Sequence, residues 1–210
     1  MKRASLGVAA LAVLSLSGAS CALTSKSDSV FFRYFTPERP AAPNATSATD
    51  DPNLRKLQLR LGRVSSSSYI KDAIAFRDSD YEIGFYEQLR WAERPEAYLR
   101  RAMSRALFEG HGIQQIVGGP GPTLEIELDV FEELRAPRHA ARVQVSWMLR
   151  DDQLVMVQRT LRVEHPIATV SADAQASAVA TAMADALGEA IDTMVAGIVT
   201  ELSRATPRKT

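Results

Sequence analysis

Three successive segments in which apolar and polar side chains alternate constrain the fold most strongly. In residues 124–130 four aliphatic side chains alternate with acidic ones, and residues 143–149 and 155–163 repeat the alternation. Successive side chains of a strand point to opposite faces, so this pattern predicts three strands that each bury one face. The polar residues 151–153 suit a tight turn and predict a hairpin between the last two strands. Arg159 interrupts the apolar face of the third strand, where a β-bulge would explain it.

Shorter alternating segments precede these three strands. Leucines alternate with polar residues in 57–61, the serines of 65–68 end that pattern, and further apolar alternation occurs in 69–76 and 81–91. These segments predict three more strands. The sequence Gly-Gly-Pro-Gly-Pro at residues 118–122 predicts a turn ahead of the acidic strand.

Two segments have the period of helices. Pro95 favours the first turn of a helix, apolar residues follow at three- and four-residue steps up to Leu107, and Gly110 ends the pattern. Residues 174–202 are rich in alanine and place an apolar residue at every third or fourth position, which predicts a second helix of about 28 residues. Strands and helices in this order predict an α+β fold. It would have a single mostly antiparallel β-sheet and two helices packed on one face, the longer helix being C-terminal.

The N-terminus has the pattern of a bacterial export signal. Lys2 and Arg3 precede an apolar run at residues 6–16, and small residues at 17–20 lead to Cys21, the single cysteine of the chain. A membrane-spanning helix needs roughly 20 apolar residues, so the shorter run is typical of a signal peptide. A single cysteine cannot form an internal disulfide, and its role therefore depends on its position.

A run of small residues that ends in cysteine resembles the bacterial lipobox. In that signal the cysteine thiol receives a diacylglyceryl group, the peptide is cut before the cysteine, and the new amine is acylated. The resemblance implies lipidation at Cys21, with Ala19 and Ser20 at the small positions and Gly18 where an aliphatic residue is usual. Three acyl chains would hold the protein at a membrane. The alternative is cleavage after Ala19, which would leave a free thiol.

These signals divide the chain into three parts. Residues 1–20 form the predicted lipoprotein signal peptide, residues 21–53 a tether, and residues 54–204 the α+β domain. Within the tether, an aromatic cluster predicts a short strand at 30–36 that docks on the domain, because exposing so many aromatic side chains to water is unfavourable. A proline-rich linker follows at 37–53.

Composition and motifs argue against nucleic-acid binding and against catalysis. Lys plus Arg number 25, as do Asp plus Glu, whereas nucleic-acid binders usually carry a basic excess. Ser68 and Lys71 match the S-x-x-K pattern of penicillin-binding enzymes, but the S-D-N and K-T-G elements that complete such a site do not follow in the sequence. The glycine-rich turn lacks the trailing Gly-Lys of a phosphate loop. We expect no catalytic residue and no cofactor, the open alternative being an unrecognised hydrolase.

Acidic and histidine side chains are the remaining candidates for a metal site. Glu125, Glu127 and Asp129 lie on one side of a predicted strand, where they can bind a cation or simply face solvent. Charges at period 2 on a sheet usually form the solvated face, and arginines of neighbouring strands can pair with them. These arginines are Arg142, Arg150, Arg159 and Arg162. The three histidines, His111, His139 and His165, do not have the spacing of a zinc motif, and no metal site is expected.

The order of these features resembles the auxiliary lipoprotein family of ABC-type transport systems, which includes the outer-membrane lipoprotein of the paraquat-inducible system. Family members carry a lipobox, an early aromatic strand, an Arg-Trp-Ala-Glu motif, a helix, an alternating strand and a strand with tryptophan near a hairpin. Here these features are Cys21 and residues 31–35, 90–93, 95–108, 124–134 and 143–149. A long alanine-rich C-terminal helix closes the domain in both.

The resemblance implies a non-enzymatic subunit of a lipid-transport machine. In such systems an inner-membrane ATPase and permease work with a substrate-binding protein of the mammalian-cell-entry type. The lipoprotein docks that conduit at the periplasmic face of the outer membrane, in some relatives as a homo-oligomeric ring. Ala22 follows the cysteine in place of aspartate, which agrees with outer-membrane sorting. The alternative from a different class is a structural or assembly lipoprotein for outer-membrane biogenesis or the cell wall.

Overall fold

The computed structural model describes residues 31–38 and 52–205. The chain divides after Phe31 into two units, and the elements below belong to the second. They are, in chain order, β1 (Arg33–Phe35), a 3₁₀ turn (Leu54–Lys56), β2 (Gln58–Ser66), β3 (Ala73–Ser79), β4 (Glu82–Trp91), α1 (Pro95–Ser104), a π-helical turn (Arg105–Gly110), β5 (Gln114–Gln115), β6 (Thr123–Leu134), β7 (Ala140–Arg150), β8 (Val155–Pro166) and α2 (Ala172–Ala205).

The eight strands form one mixed sheet built around β6. β7 pairs antiparallel with one edge of β6 along its whole length, and β8 pairs antiparallel with β7. The other edge of β6 is shared, because β2 pairs in parallel with residues 123–128 and β3 pairs in parallel with residues 132–134. β4 and then β1 extend the sheet beyond β3, and β5 pairs with the start of β2. The predicted α+β fold is confirmed; its longest strands pair antiparallel, whereas β2 and β3 join β6 in parallel.

Helix α2 covers one face of the sheet, packing on β6, β7 and β8, while α1 packs on β2 and touches α2. The buried side of α2 is a stripe of large apolar residues flanked by alanines, as the sequence predicts. Gly197 lies against Trp147, and a Cβ at residue 197 would stand 3.4 Å from the indole ring. Small residues therefore let the helix lie close to the sheet. Deeper in the same core, Trp91 stacks on Phe131 with ring centroids 5.0 Å apart.

Two of the predicted strand boundaries are wrong. β2 continues through Ser66, so the serine run does not end the strand at residue 65. The strand predicted at 69–76 begins instead at Ala73 and runs to Ser79. Residues 67–72 form a turn in which the backbone N–H of Ile70 bonds the carbonyl of Ser67, 2.9 Å away. Ile70 is buried because the turn folds back onto the core. Its apolar side chain therefore fits the alternating pattern of a buried strand although the residue lies in a turn.

The β-bulge expected at Arg159 is also wrong. Arg159 stands opposite Trp147 in an uninterrupted stretch of the β7–β8 ladder, and the register shifts only between Leu149 and Arg150, next to the turn. A bulge that the sequence did not predict lies in β6, between Leu128 and Val130. It changes which residues of β6 face the core, so that Phe131 is buried in place of Val130.

The short strand β1 joins the sheet at its edge, pairing in parallel with residues 89–91 of β4. It is shorter than the strand predicted at 30–36 and does not cover all of its aromatic side chains. Tyr34 is 65% exposed and Phe32 is 48% exposed, whereas Phe35 is half-buried. No helix within residues 52–205 is both long enough and apolar enough to span a bilayer.

Candidate functional site

The predicted lipidation residue, Cys21, lies outside the residues that the structure describes. Its modification stays a prediction from the sequence. The functional question for the described domain is therefore whether its polar side chains form a site for chemistry or for binding.

The acidic side chains of β6 take separate partners. Glu125 accepts hydrogen bonds from Arg150, whose Nη2 lies 2.9 Å from Oε1, and Asp129 accepts a hydrogen bond of 2.6 Å from the hydroxyl of Ser146. Glu127 is exposed. Within residues 31–38 and 52–205, no three His, Cys, Asp or Glu side chains come together in a geometry that could hold a metal ion.

Of the four arginines predicted to pair with the acidic side chains at 125, 127 and 129, one forms such a pair. Arg150 pairs with Glu125, as described above. Arg142 and Arg162 both bind Glu164 on β8, at 3.0 Å and 2.6 Å, and Arg159 lies 3.8 Å from Glu201 on α2. The hydrogen bonds from Arg162 and Arg142 lower the pKa of Glu164. These pairs hold β7, β8 and α2 together at the surface, where each contributes little to stability.

The uncovered face of the sheet holds an open depression of about 460 Å³. Its polar lining includes Arg63, Ser65, Glu125, Glu127, Ser146 and Gln158. Ser146 is fixed between Asp129 and Thr160, whose hydroxyl lies 3.0 Å away. Its hydroxyl therefore belongs to a short chain of hydrogen bonds that joins β6, β7 and β8.

Two adjacent carboxylates in β6 are fully buried, and sequence reasoning missed both. Glu132 is 0% exposed and binds Arg77 through two hydrogen bonds of 2.7 Å and 3.0 Å. Arg142 approaches to 3.8 Å, and the phenol of Tyr69 lies 3.5 Å from Oε2. A buried carboxylate needs such partners because an isolated charge is strongly disfavoured in the protein interior.

Glu133 has its own set of partners. The phenol of Tyr86 donates a hydrogen bond of 2.6 Å to Oε2, and Nε2 of His139 lies 2.6 Å from Oε1. Arg135 adds an ion pair at 3.5 Å. This network joins β4, β6 and the turn after β6, so it fixes the end of the sheet where β6 stops.

Both tyrosines keep their protons at neutral pH. Burial, followed by the charge of Glu132, raises the pKa of Tyr69 to about 12. Burial and the hydrogen bond to Glu133 raise the pKa of Tyr86. The hydrogen bond to Glu132 likewise raises the pKa of Arg77. The phenols therefore act as hydrogen-bond donors, and the two carboxylates use their lone pairs within the fold, which is the behaviour of a structural network.

Removing the hydroxyl group that donates to Glu133 tests whether this network stabilises the fold. We expect Tyr86→Phe to lower the free energy of unfolding by about 2 kcal/mol, because a hydrogen bond to a buried charged group is lost. Urea unfolding followed by circular dichroism measures the change. Tyr81→Phe is the matched control, since Tyr81 is 98% exposed and should leave the unfolding midpoint unchanged. Equal midpoints for the two variants would contradict the assignment.

The remaining candidate residues do not form a site. Ser68 lies in the turn between β2 and β3, and Lys71 lies in the bend that follows, so the S-x-x-K pattern is not on a helix. His165 binds Glu189 at 2.7 Å. His111 follows the π-helical turn and its Nδ1 is buried without a hydrogen-bond partner. Each histidine belongs to a different part of the fold.

Comparison with models of protein families identifies the family of this chain. The family model described as "ABC-type transport auxiliary lipoprotein component" matches residues 38–192. The chain belongs to this family. The match covers most of the described domain, from the 3₁₀ turn into α2. It confirms the resemblance drawn from the order of motifs and establishes the protein as an auxiliary lipoprotein of an ABC-type transport system, located in the cell envelope. No curated protein matches significantly.

Solved structures share the fold of the auxiliary lipoprotein. A DUF330 protein of Xanthomonas campestris is 22% identical, with a TM-score of 0.66 over 80% of this chain and 95% of its own. An uncharacterized protein is 16% identical, with a TM-score of 0.53 over 78% and 99%. A hypothetical protein of Chlamydia trachomatis is 12% identical, with a TM-score of 0.51 over 70% and 98%. At these identities the likeness establishes the fold alone.

Proposed function

We propose that this auxiliary lipoprotein is a non-catalytic adaptor of an ABC-type lipid-transport system, anchored through Cys21 to the periplasmic face of the outer membrane. Its partner would be the system's substrate-binding protein of the mammalian-cell-entry type. The match of the family model to residues 38–192 carries the proposal. The N-terminal lipobox resemblance supports the anchor, and Ala22 supports outer-membrane sorting.

The polar chemistry of the domain agrees with an adaptor. Glu132 and Glu133 are satisfied by arginine, tyrosine and histidine side chains of the same domain. Ser146 is held by Asp129. These groups stabilise the sheet, so that the domain can present a rigid surface to another protein.

The tip of the β7–β8 hairpin is the surface we assign to the transport partner. Leu154, Val155 and Met156 are consecutive and are 70%, 55% and 39% exposed. Asp151 accepts hydrogen bonds from the backbone N–H groups of Gln153 and Leu154, and these bonds lower its pKa and fix the turn. An exposed apolar tip on a rigid turn is typical of a protein contact.

Affinity capture from envelopes tests the function. A tagged full-length protein, extracted in mild detergent, is expected to co-purify with the mammalian-cell-entry protein, identified by mass spectrometry. Leu154→Ser/Met156→Ser should reduce the recovered partner by about tenfold, since apolar contacts at an interface core are lost. Tyr81→Ser is the control, because Tyr81 is even more exposed than Leu154 and Met156 but lies at the β3–β4 turn, at the opposite end of the sheet.

Each result has a separate meaning. Recovery of no transporter component with the wild-type protein would contradict the proposed function. Recovery of outer-membrane assembly or cell-wall proteins in its place would favour the structural alternative. Recovery of the partner by both variants would retain the function and exclude the hairpin as the docking surface.

A further inference from the structure

We propose that β1 carries a second membrane contact in addition to the acyl chains. Phe32, Tyr34 and Arg90 form one surface, the β1 aromatic surface, that lies against the headgroup region of the bilayer. The proposal rests on the proposed anchor at Cys21, and it concerns how the domain is oriented at that membrane.

The three side chains share the face of the sheet that the helices leave uncovered. Tyr34 stands beside Arg90 in the β1–β4 ladder, and the guanidinium carbon of Arg90 lies 5.0 Å from the centre of the Phe32 ring. Arg33, between the two aromatics, points to the other face, where its Nη2 reaches the hydroxyl of Ser177 on α2 at 3.5 Å. Alternation along the strand therefore puts Phe32 and Tyr34 opposite the helix layer.

The composition of the surface suits a lipid–water interface. Tyr34 of β1 is 65% exposed, and Phe32, directly before the strand, is about half-exposed. Aromatic rings concentrate at the headgroup level of bilayers, and an adjacent arginine can contact lipid phosphates. Arg90 is held in place by hydrogen bonds to the carbonyls of Tyr86 and Leu89, and Asp72 lies 3.8 Å from its Nε. The aromatic rings therefore supply most of the expected contact, and Arg90 orients the Phe32 ring.

The length of chain before β1 selects the bilayer as the occupant. Eleven peptide units separate Cys21 from Phe32, and fully extended they span no more than about 40 Å. Acyl chains on Cys21 would fix one end of that segment in the membrane, so Phe32 would stay within about 40 Å of the bilayer surface. A bilayer held within this distance is at a high effective concentration for the β1 aromatic surface.

Tryptophan reporters in the full-length protein test the contact. Phe32→Trp and Tyr34→Trp are made separately, and the anchored protein is reconstituted in vesicles of phosphatidylethanolamine and phosphatidylglycerol with lipids brominated near the headgroup. The natural Trp91 and Trp147 are 2% and 5% exposed and give the same background in every variant. Val117→Trp is the matched control, since Val117 is 92% exposed in the loop before β6, at the far end of the sheet.

We expect each β1 reporter to lose about half of its added fluorescence to the brominated lipids, and the control about fivefold less. Quenching of both β1 reporters without the control supports the contact. Equal quenching of all three, or quenching of none, overturns it. If one β1 variant fails to fold, the other gives the same decision.

The mass of the N-terminal peptide from the same samples reports the anchor independently. An acylated peptide without quenching leaves the anchoring in place and overturns only the β1 contact. An unmodified thiol overturns the proposed anchoring; Cys21, as the single cysteine, is then coupled to a maleimide lipid, and the quenching experiment still decides whether β1 meets the bilayer.

Discussion

Replacement of Cys21 by serine is expected to move the protein from the membrane pellet to the soluble fraction of lysed cells. Each buried methylene of an acyl chain contributes about 0.8 kcal/mol to membrane attachment, so three chains make the attachment nearly permanent. A serine hydroxyl does not form the thioether that carries the diacylglyceryl group, and cleavage after Ala19 would release the protein without acyl chains. We expect the membrane-bound fraction to fall by at least about 100-fold. Carbonate washing and immunoblotting of both fractions measure it.

Ser20→Ala is the matched control for this substitution, because it keeps a small residue beside the cysteine and should leave the protein in the pellet. Mass spectrometry of the wild-type N-terminal peptide should show the diacylglyceryl group and the acylated amine. A Cys21→Ser protein that stays in the pellet after the carbonate wash would show that something other than the cysteine holds the protein there.

Replacement of Arg77 by methionine is expected to give the largest loss of stability in the domain. Glu132 is 0% exposed and would lose both hydrogen bonds from Arg77, leaving Arg142 at 3.8 Å and the phenol of Tyr69 at 3.5 Å. An uncompensated buried charge costs about 3–5 kcal/mol, so the free energy of unfolding should fall by that amount. Urea unfolding monitored by circular dichroism provides the measurement.

A double variant separates the charge from the loss of packing. Arg77→Met/Glu132→Met removes the buried carboxylate as well and should regain most of the lost stability, since apolar replacements of buried ion pairs are well tolerated. Arg63→Met removes an exposed arginine of β2 and should change stability by less than about 0.5 kcal/mol. If the double variant is as unstable as Arg77→Met, the buried charge is not the cause.

The two buried carboxylates show where reasoning from sequence ends. Alternation along β6 correctly predicts that Leu124, Ile126 and Leu128 face the core, because period 2 is a local property of a strand. It fails after Leu128, where the bulge displaces the pattern. Ser67 binds the carbonyl of Asp129 through its hydroxyl, and Ser146 binds its carboxylate. These partners are distant in sequence, so the bulge has no local signal.

The pairing of strands shows the same limit in the topology. Alternation and turn residues predicted the β6–β7–β8 order, since antiparallel neighbours follow one another along the chain. Nothing in the alternation of β2 and β3 indicates that both pair in parallel with one edge of β6. That arrangement depends on the turn at 67–72, which joins β2 to β3 and whose residues 69–72 fall within the strand that the sequence predicts at 69–76.

The position of β1 has a mechanical consequence for a domain held between a membrane and a partner. A pull on the chain before β1 would load the short parallel ladder in which residues 33–35 pair with residues 89–91 of β4. If that ladder opens, the residues between Phe35 and Leu54 become part of the leash and lengthen it by as much as about 60 Å. The strand pairing around β6 would stay intact, because β2 to β8 pair with one another independently of β1.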